Sequence, residues 1–168
     1  MSAARQGAFG LISVLLLAPP ARPAAGIPME SVVPDQVLAA LDGAPRNLRA
    51  LRQAPVTVLF FLSAQCPISN GYVARMNELA QEQGSRATFL GINSNSNETP
   101  QDAGRHAADY RLAFPVYKDP GNVLADLLGI TLTPEAVLLD GDHRLRYRGR
   151  IDDHRNPARV ASTLPGSL

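Results

Sequence analysis

The chain has 168 residues, 45% hydrophobic and 18% charged. That length suits one domain, and the composition excludes a mainly disordered chain. Its 16 basic and 15 acidic residues leave a net charge of +1, which gives no long-range field for nucleic acid or an anionic membrane. With one cysteine, Cys66, neither an intrachain disulfide nor a zinc site of paired thiolates can be built.

The first 26 residues read as a secretory signal peptide. Arg5 supplies a positive start and Ala8 to Ala18 an uncharged apolar stretch. Pro19 and Pro20 end that stretch, and Ala24-Ala25-Gly26 place small residues before a cleavage point at Ile27. The stretch falls short of the ~20 apolar residues a membrane-spanning helix needs. Export to the periplasm or outside the cell is therefore expected, with no stable membrane insertion after cleavage. A lone thiol in an oxidising compartment is a reactive group or a liability.

Residues 27–153 are expected to form the domain. Val37 to Leu41 is a short apolar run before the hairpin-type turn Asp42-Gly43. Residues 47–52 suggest one short helical or irregular turn. Val56 to Leu62 (VTVLFFL) is apolar on both faces and predicts a central buried strand. Ile68 to Gln83 predicts a helix with Tyr72, Met76, Leu79 and Ala80 on its apolar face and Gly84 as a left-handed stop. Thr88 to Ile92 predicts a strand, and Asn93 to Asn97 a polar loop. Thr99 and Pro100 cap and open a helix from about Gln101 to Arg111. A short extended piece at 114–117, the turn Asp119-Pro120-Gly121 and a helix from Val123 to Leu128 ending at Gly129 come next. Ala136 to Leu139 and Arg144 to Gly149 predict a terminal hairpin. Strands alternating with helices imply an α/β fold, and the hairpin makes its sheet mixed. In the tail, 154–168, Pro157 and Pro165 leave room for only about two helical turns between them.

Cys66 stands where the buried strand hands over to the helix. There a thiol meets the free N–H groups of the first turn and the positive end of the helix dipole, and both favour a reactive thiolate. Pro67 fits the first helical position, where a missing N–H does no harm. Ser69 lies three residues on, and both its hydroxyl and its backbone N–H are expected to point back at the sulfur.

The strand and loop Val58-Leu59-Phe60-Phe61-Leu62-Ser63-Ala64-Gln65-Cys66-Pro67, the entry segment Pro34-Asp35 with Leu41-Asp42-Gly43, the pair Thr133-Pro134 and the closing Tyr147-Arg148-Gly149-Arg150-Ile151-Asp152-Asp153 together resemble the thioredoxin-like superfamily. More narrowly they resemble its redoxin branch, the alkyl hydroperoxide reductase/thiol-specific antioxidant type, from about Pro34 to Asp153. The resemblance implies an α/β thioredoxin-like fold with a central mixed sheet flanked by helices, its C-terminal helix here short or missing. It implies that Cys66 is the nucleophile and that Pro134 is a cis-proline facing it, with Pro67, Thr133 and Glu135 lining the cleft. Ser69 replaces the second cysteine of thioredoxins, so dithiol turnover is not expected. Against typical peroxiredoxins, Ser63 matches the hydroxyl residue three places before the cysteine, while Leu59 departs from their proline.

The resemblance and the lone thiol together imply one-cysteine chemistry: a thiol-dependent oxidoreductase with antioxidant activity in cell redox homeostasis. Thiolate Cys66 attacks a peroxide to give a sulfenic acid, or a disulfide to give a mixed disulfide. An external thiol reductant, or a thioredoxin-like reductase, closes the cycle. Ser63 and the N–H groups after Cys66 are candidate donors to a leaving oxygen. Arg148 and Arg150 are expected on a solvated strand face. Glu135 is read either as an acid/base group or as an exposed strand-start residue. Tyr72 is assigned to the core. His106, His143 and His154 are too scattered to share a metal, and no cofactor is expected. The alternative is a non-catalytic module that binds extended peptide beside Thr133-Pro134.

Overall fold

The computed structural model describes residues 26–152. Its strands are β1 (Val37–Ala39), β2 (Pro45–Asn47), β3 (Val56–Phe61), β4 (Ala87–Asn93), β5 (Val116–Lys118), β6 (Glu135–Leu139) and β7 (Leu145–Gly149). Its helices are α1 (Pro67–Gly71), α2 (Val73–Gln83), α3 (Pro100–Asp109) and α4 (Val123–Leu128), with short 3-10 turns at Leu48–Leu51 and Pro120–Asn122. The strands form one sheet in the order β2-β1-β5-β4-β3-β6-β7. β3, β4 and β5 run parallel; β6 lies antiparallel beside β3, β7 lies antiparallel to β6, and β1 lies antiparallel to both β2 and β5.

The apolar run of β3 has the physical reason the sequence suggested: both faces of the sheet are covered. Leu59 and Phe61 point to a core shared with Leu90, Ile92, Leu124 and Leu128, so α4 covers that side. Val58 and Phe60 point to the other core, with Val73 and Met76 of α2, Phe89, Ala103 of α3 and Phe114. Phe60 packs its ring 5.7 Å from Phe89 and 5.4 Å from Phe114. Close approach explains Gly91 in β4: a Cβ there would lie 3.0 Å from Val116 and 3.1 Å from Leu62 and from Phe114.

Two local expectations need correction. The helix expected over 68–83 is two helices meeting at Tyr72 (φ −91°, ψ −5°), whose N–H is shared between the carbonyls of Ile68 and Ser69. Gly84 is right-handed (φ −59°, ψ −21°), not left-handed; the chain turns there through Arg86 N–H donating to Gln83 C=O. Residues Pro45–Asn47 are an edge strand paired with β1. Gly129 does take the left-handed end of α4 (φ 66°). The expected signal peptide, apart from Gly26, and the expected short tail helix lie outside the described residues, as does His154. Among the described residues no helix is long and apolar enough to cross a membrane.

Candidate functional site

The parallel strands β3 and β4 end side by side, with Leu62 N–H extending the ladder to Ile92 C=O. A three-residue turn then carries the chain to Cys66, the N-cap of α1, with Pro67 at the first helical position. The sulfur is partly exposed. It accepts from the backbone N–H of Ser69 at 3.4 Å and donates to the carbonyl of Thr133 at 3.4 Å. Thr133-Pro134 is a cis peptide, and it leads directly into β6, whose first residue, Glu135, pairs with Phe61 at the end of β3. Cys66, Pro67, Thr133, Pro134 and the Ser69 N–H therefore meet at one end of the sheet, brought together by the pairing of β3 with β6.

The other expected groups are spoken for. The Ser69 hydroxyl turns away from the sulfur and accepts from Ser63 N–H at 3.3 Å, inside the protein. The Ser63 hydroxyl is buried too; it donates to Glu98 at 2.6 Å and accepts from Gln65 N–H at 3.2 Å. The Glu135 carboxylate accepts from Thr131 N–H at 3.4 Å, within its own loop. Arg148 is not a solvated group: it is half-buried and donates to the carbonyls of Leu128 and Ile27, tying the start of the domain to the end of α4. Arg150 is exposed. Tyr72 is buried in the α2-side core, and its hydroxyl donates to Asp152 at 3.1 Å. Burial, then that carboxylate, raises the Tyr72 phenol above its ordinary range.

Sequence reasoning missed the polar cluster beneath the cysteine turn. Glu98 is 3% exposed and accepts from Ser63 Oγ, Ala64 N–H, Gln65 N–H, Asn93 Nδ2 and Asn95 Nδ2. Burial alone would raise its carboxyl, but the donors from Ser63, Ala64, Asn93 and Gln65 outweigh it and bring it down to about 2. Lys118, at the end of β5, donates to Asn93 Oδ1 and to the carbonyls of Asn95 and Glu98; burial lowers its ammonium from the usual range. On the flank, Asn70 of α1 donates to Ala64 C=O, and its oxygen lies 2.8 Å from Nε2 of His106 on α3. His106 is 5% exposed, and burial lowers its imidazole. The only advance signal was a glutamate and a lysine close to buried strand ends; apart from Asn93 and Asn95, the partners of Glu98 lie 33 to 35 residues away, and those of Lys118 lie 20 to 25 residues away.

A cysteine opening a helix after a central strand, opposite a cis-proline at the head of an antiparallel strand, defines a thioredoxin-like protein. The chain belongs to the AhpC/TSA family, whose model matches residues 29–148. It is similar to the crystal structure of a hypothetical protein from Sinorhizobium meliloti 1021, at 26% identity and TM-score 0.70, covering 80% of this chain and 81% of that one. It is also similar to peroxidoxin BcpB from Mycobacterium tuberculosis (24% identity, TM-score 0.60, 70% and 81% covered). A secreted Mycobacterium tuberculosis disulfide oxidoreductase likewise matches (20% identity, TM-score 0.60, 76% and 92% covered); these last two likenesses are of fold. No curated protein matches the chain. Among the described residues no group of three or more His, Cys, Asp or Glu side chains is placed to hold a metal ion.

Proposed function

We propose that the protein is a one-cysteine thiol oxidoreductase whose main reaction is exchange with a disulfide. The observation that carries this reading is the partly exposed Cys66 sulfur, 3.4 Å from both the Ser69 N–H and the Thr133 carbonyl next to cis-Pro134. The Ser69 N–H supplies a donor for a thiolate. Thiolate Cys66 attacks one sulfur of a substrate disulfide; a new S–S bond forms, the old one breaks, and the second substrate sulfur leaves as thiolate. No second cysteine can resolve the product, so an external thiol attacks it and restores Cys66.

The peroxide reaction, in which Cys66 takes one oxygen as sulfenic acid and the other leaves as hydroxide or alkoxide, is the lesser arm. It needs a donor for the leaving oxygen, and two groups suited to that task are committed: the Ser63 hydroxyl to Glu98 and the Arg148 guanidinium to backbone carbonyls. Export of the chain, with cleavage before Ile27, completes the reading and is supported by the charge and apolar pattern of residues 1–26.

Treatment with a small aromatic disulfide or with hydrogen peroxide, followed by intact-mass spectrometry, tests this. One mixed-disulfide adduct per chain is expected, absent in Cys66→Ser and reversed by glutathione, with peroxide acting more slowly. A folded chain that forms neither adduct, while a peptide partner still binds Cys66→Ser, would establish the binding module instead. The same spectrum, for protein recovered from an exporting host, is expected to start at Ile27.

A further inference from the structure

We propose that Glu98 is a positioning residue for the Cys66 thiol, acting through the turn Ser63-Ala64-Gln65. The inference rests on the reading of Cys66 as a nucleophile. Of the five donors on the carboxylate, three come from the three residues immediately before the cysteine: Ser63 Oγ at 2.6 Å, Ala64 N–H at 3.0 Å and Gln65 N–H at 3.1 Å. A buried carboxylate is costly unless its oxygens are satisfied, and here both are: Oε1 by Ser63, Gln65 and Asn95, Oε2 by Ala64 and Asn93.

The carboxylate is itself held from the sheet. Lys118 donates to Asn93 Oδ1 at 2.6 Å and to the carbonyls of Asn95 and Glu98, each at 2.7 Å. A continuous set of hydrogen bonds thus runs from β5 through Lys118 and Asn93 to Glu98, and from Glu98 to the turn. That turn fixes Cys66, whose own N–H closes on Ser63 C=O. Of the two sulfur contacts, both 3.4 Å, the Ser69 N–H is the one that favours thiolate, and it holds only while the turn keeps the sulfur in line with that N–H; the Thr133 C=O accepts from the neutral thiol. The charged or titratable neighbours of the carboxylate are Lys118 from β5 and Asp102 and His106 from α3.

The sign of one measurement separates positioning from simple electrostatics. Neutralising Glu98 removes a negative charge from the region of the sulfur, and by charge alone that favours thiolate and speeds alkylation. Positioning predicts the reverse. Glu98→Gln keeps the shape but turns an NH₂ donor toward donors, the turn slackens, and the Ser69 N–H loses its aim at the sulfur.

The test is the pH profile of iodoacetamide alkylation of Cys66 in the full chain, for wild type, Glu98→Gln and Ser63→Ala, with folding checked by circular dichroism. Expected is a rate at pH 7 lower by roughly five- to tenfold in Glu98→Gln, the scale of one or two lost hydrogen bonds, with the profile displaced to higher pH. Ser63→Ala, which removes one of the three turn contacts, is expected to show the same displacement to a smaller extent. A Glu98→Gln profile that superimposes on wild type, or moves to lower pH, overturns the proposal. If Glu98→Gln does not fold, Ser63→Ala decides alone, and a wild-type profile there overturns it. Alkylation reads the thiol without turnover. A chain that shows the displacement but forms no mixed disulfide sinks the proposed function and leaves this inference standing; the opposite pair of results does the reverse.

Discussion

Ser69 carries two polar groups that face different ways. Its backbone N–H serves the Cys66 sulfur, while its hydroxyl accepts from Ser63 N–H within the protein. The side chain at this position, where a dithiol enzyme has its second cysteine, therefore belongs to the scaffold of the turn. Ser69 is fully buried, so removing the hydroxyl leaves a donor without its acceptor in a place water does not reach. Such a loss costs about 1–3 kcal/mol. Ser69→Ala is expected to lower the unfolding free energy by that amount in urea denaturation; a change below about 0.5 kcal/mol, the scale of an ordinary surface substitution, would show that the Ser63 N–H finds another partner.

Among the elements, α3 shows how much can be read locally. Thr99 accepts from Asp102 N–H, Asp102 accepts from Thr99 N–H, and Pro100 opens the helix. The cap is local and its chemistry is written in nearby letters, so the sequence reading found Thr99 and Pro100. Thr99→Ala is expected to cost about 1 kcal/mol, read as a lower urea midpoint with an unchanged m-value; an unaltered midpoint would mean that the first turn of α3 is held by its packing alone. Cys66 was legible for a similar reason, since an apolar run that stops at a cysteine and a proline marks a strand-to-helix junction. Glycine is less informative. Gly129 ends α4 left-handed and Gly84 follows α2 right-handed, because the residue permits both and the onward path of the chain selects one. β2 carries only exposed Pro45, Arg46 and Asn47; it pairs through backbone, with no apolar alternation to announce it. Glu98 was invisible because its partners Ser63, Ala64 and Gln65 lie 33 to 35 residues away, and only the parallel pairing of β3 with β4 brings them together.

At the scale of the whole molecule, β3 joins two ends of different chemistry. Its C-terminal end delivers Cys66. Its N-terminal end abuts the β6–β7 turn, because β6 runs antiparallel to β3, and that turn holds His143, 3% exposed with no partner for either ring nitrogen among the described residues. Burial, then the neighbouring Arg49, lowers the His143 imidazole from its ordinary 6.5; Arg52 adds to this, while Asp35 and Asp140 oppose it. His106, beside the cysteine turn, is lowered by burial too. Glu98 sits at about 2 instead of 4.5. All three groups take up a proton more readily in the unfolded chain, so each contributes stability above its unfolded pKa that is lost as pH falls toward its folded one. The two histidines act first, below about 6.5, and Glu98 follows between 4.5 and about 2, where the lowered carboxyls of Asp102 and Asp140 act in the same direction. Urea denaturation is therefore expected to give a plateau near pH 7 to 8, a first decline from pH 6.5 and a steeper one below pH 4.5. His143→Gln should shrink the first decline and leave the second in place. A stability that holds level or rises from pH 7 to pH 5 would mean that water reaches both imidazoles and that neither is held neutral by the fold.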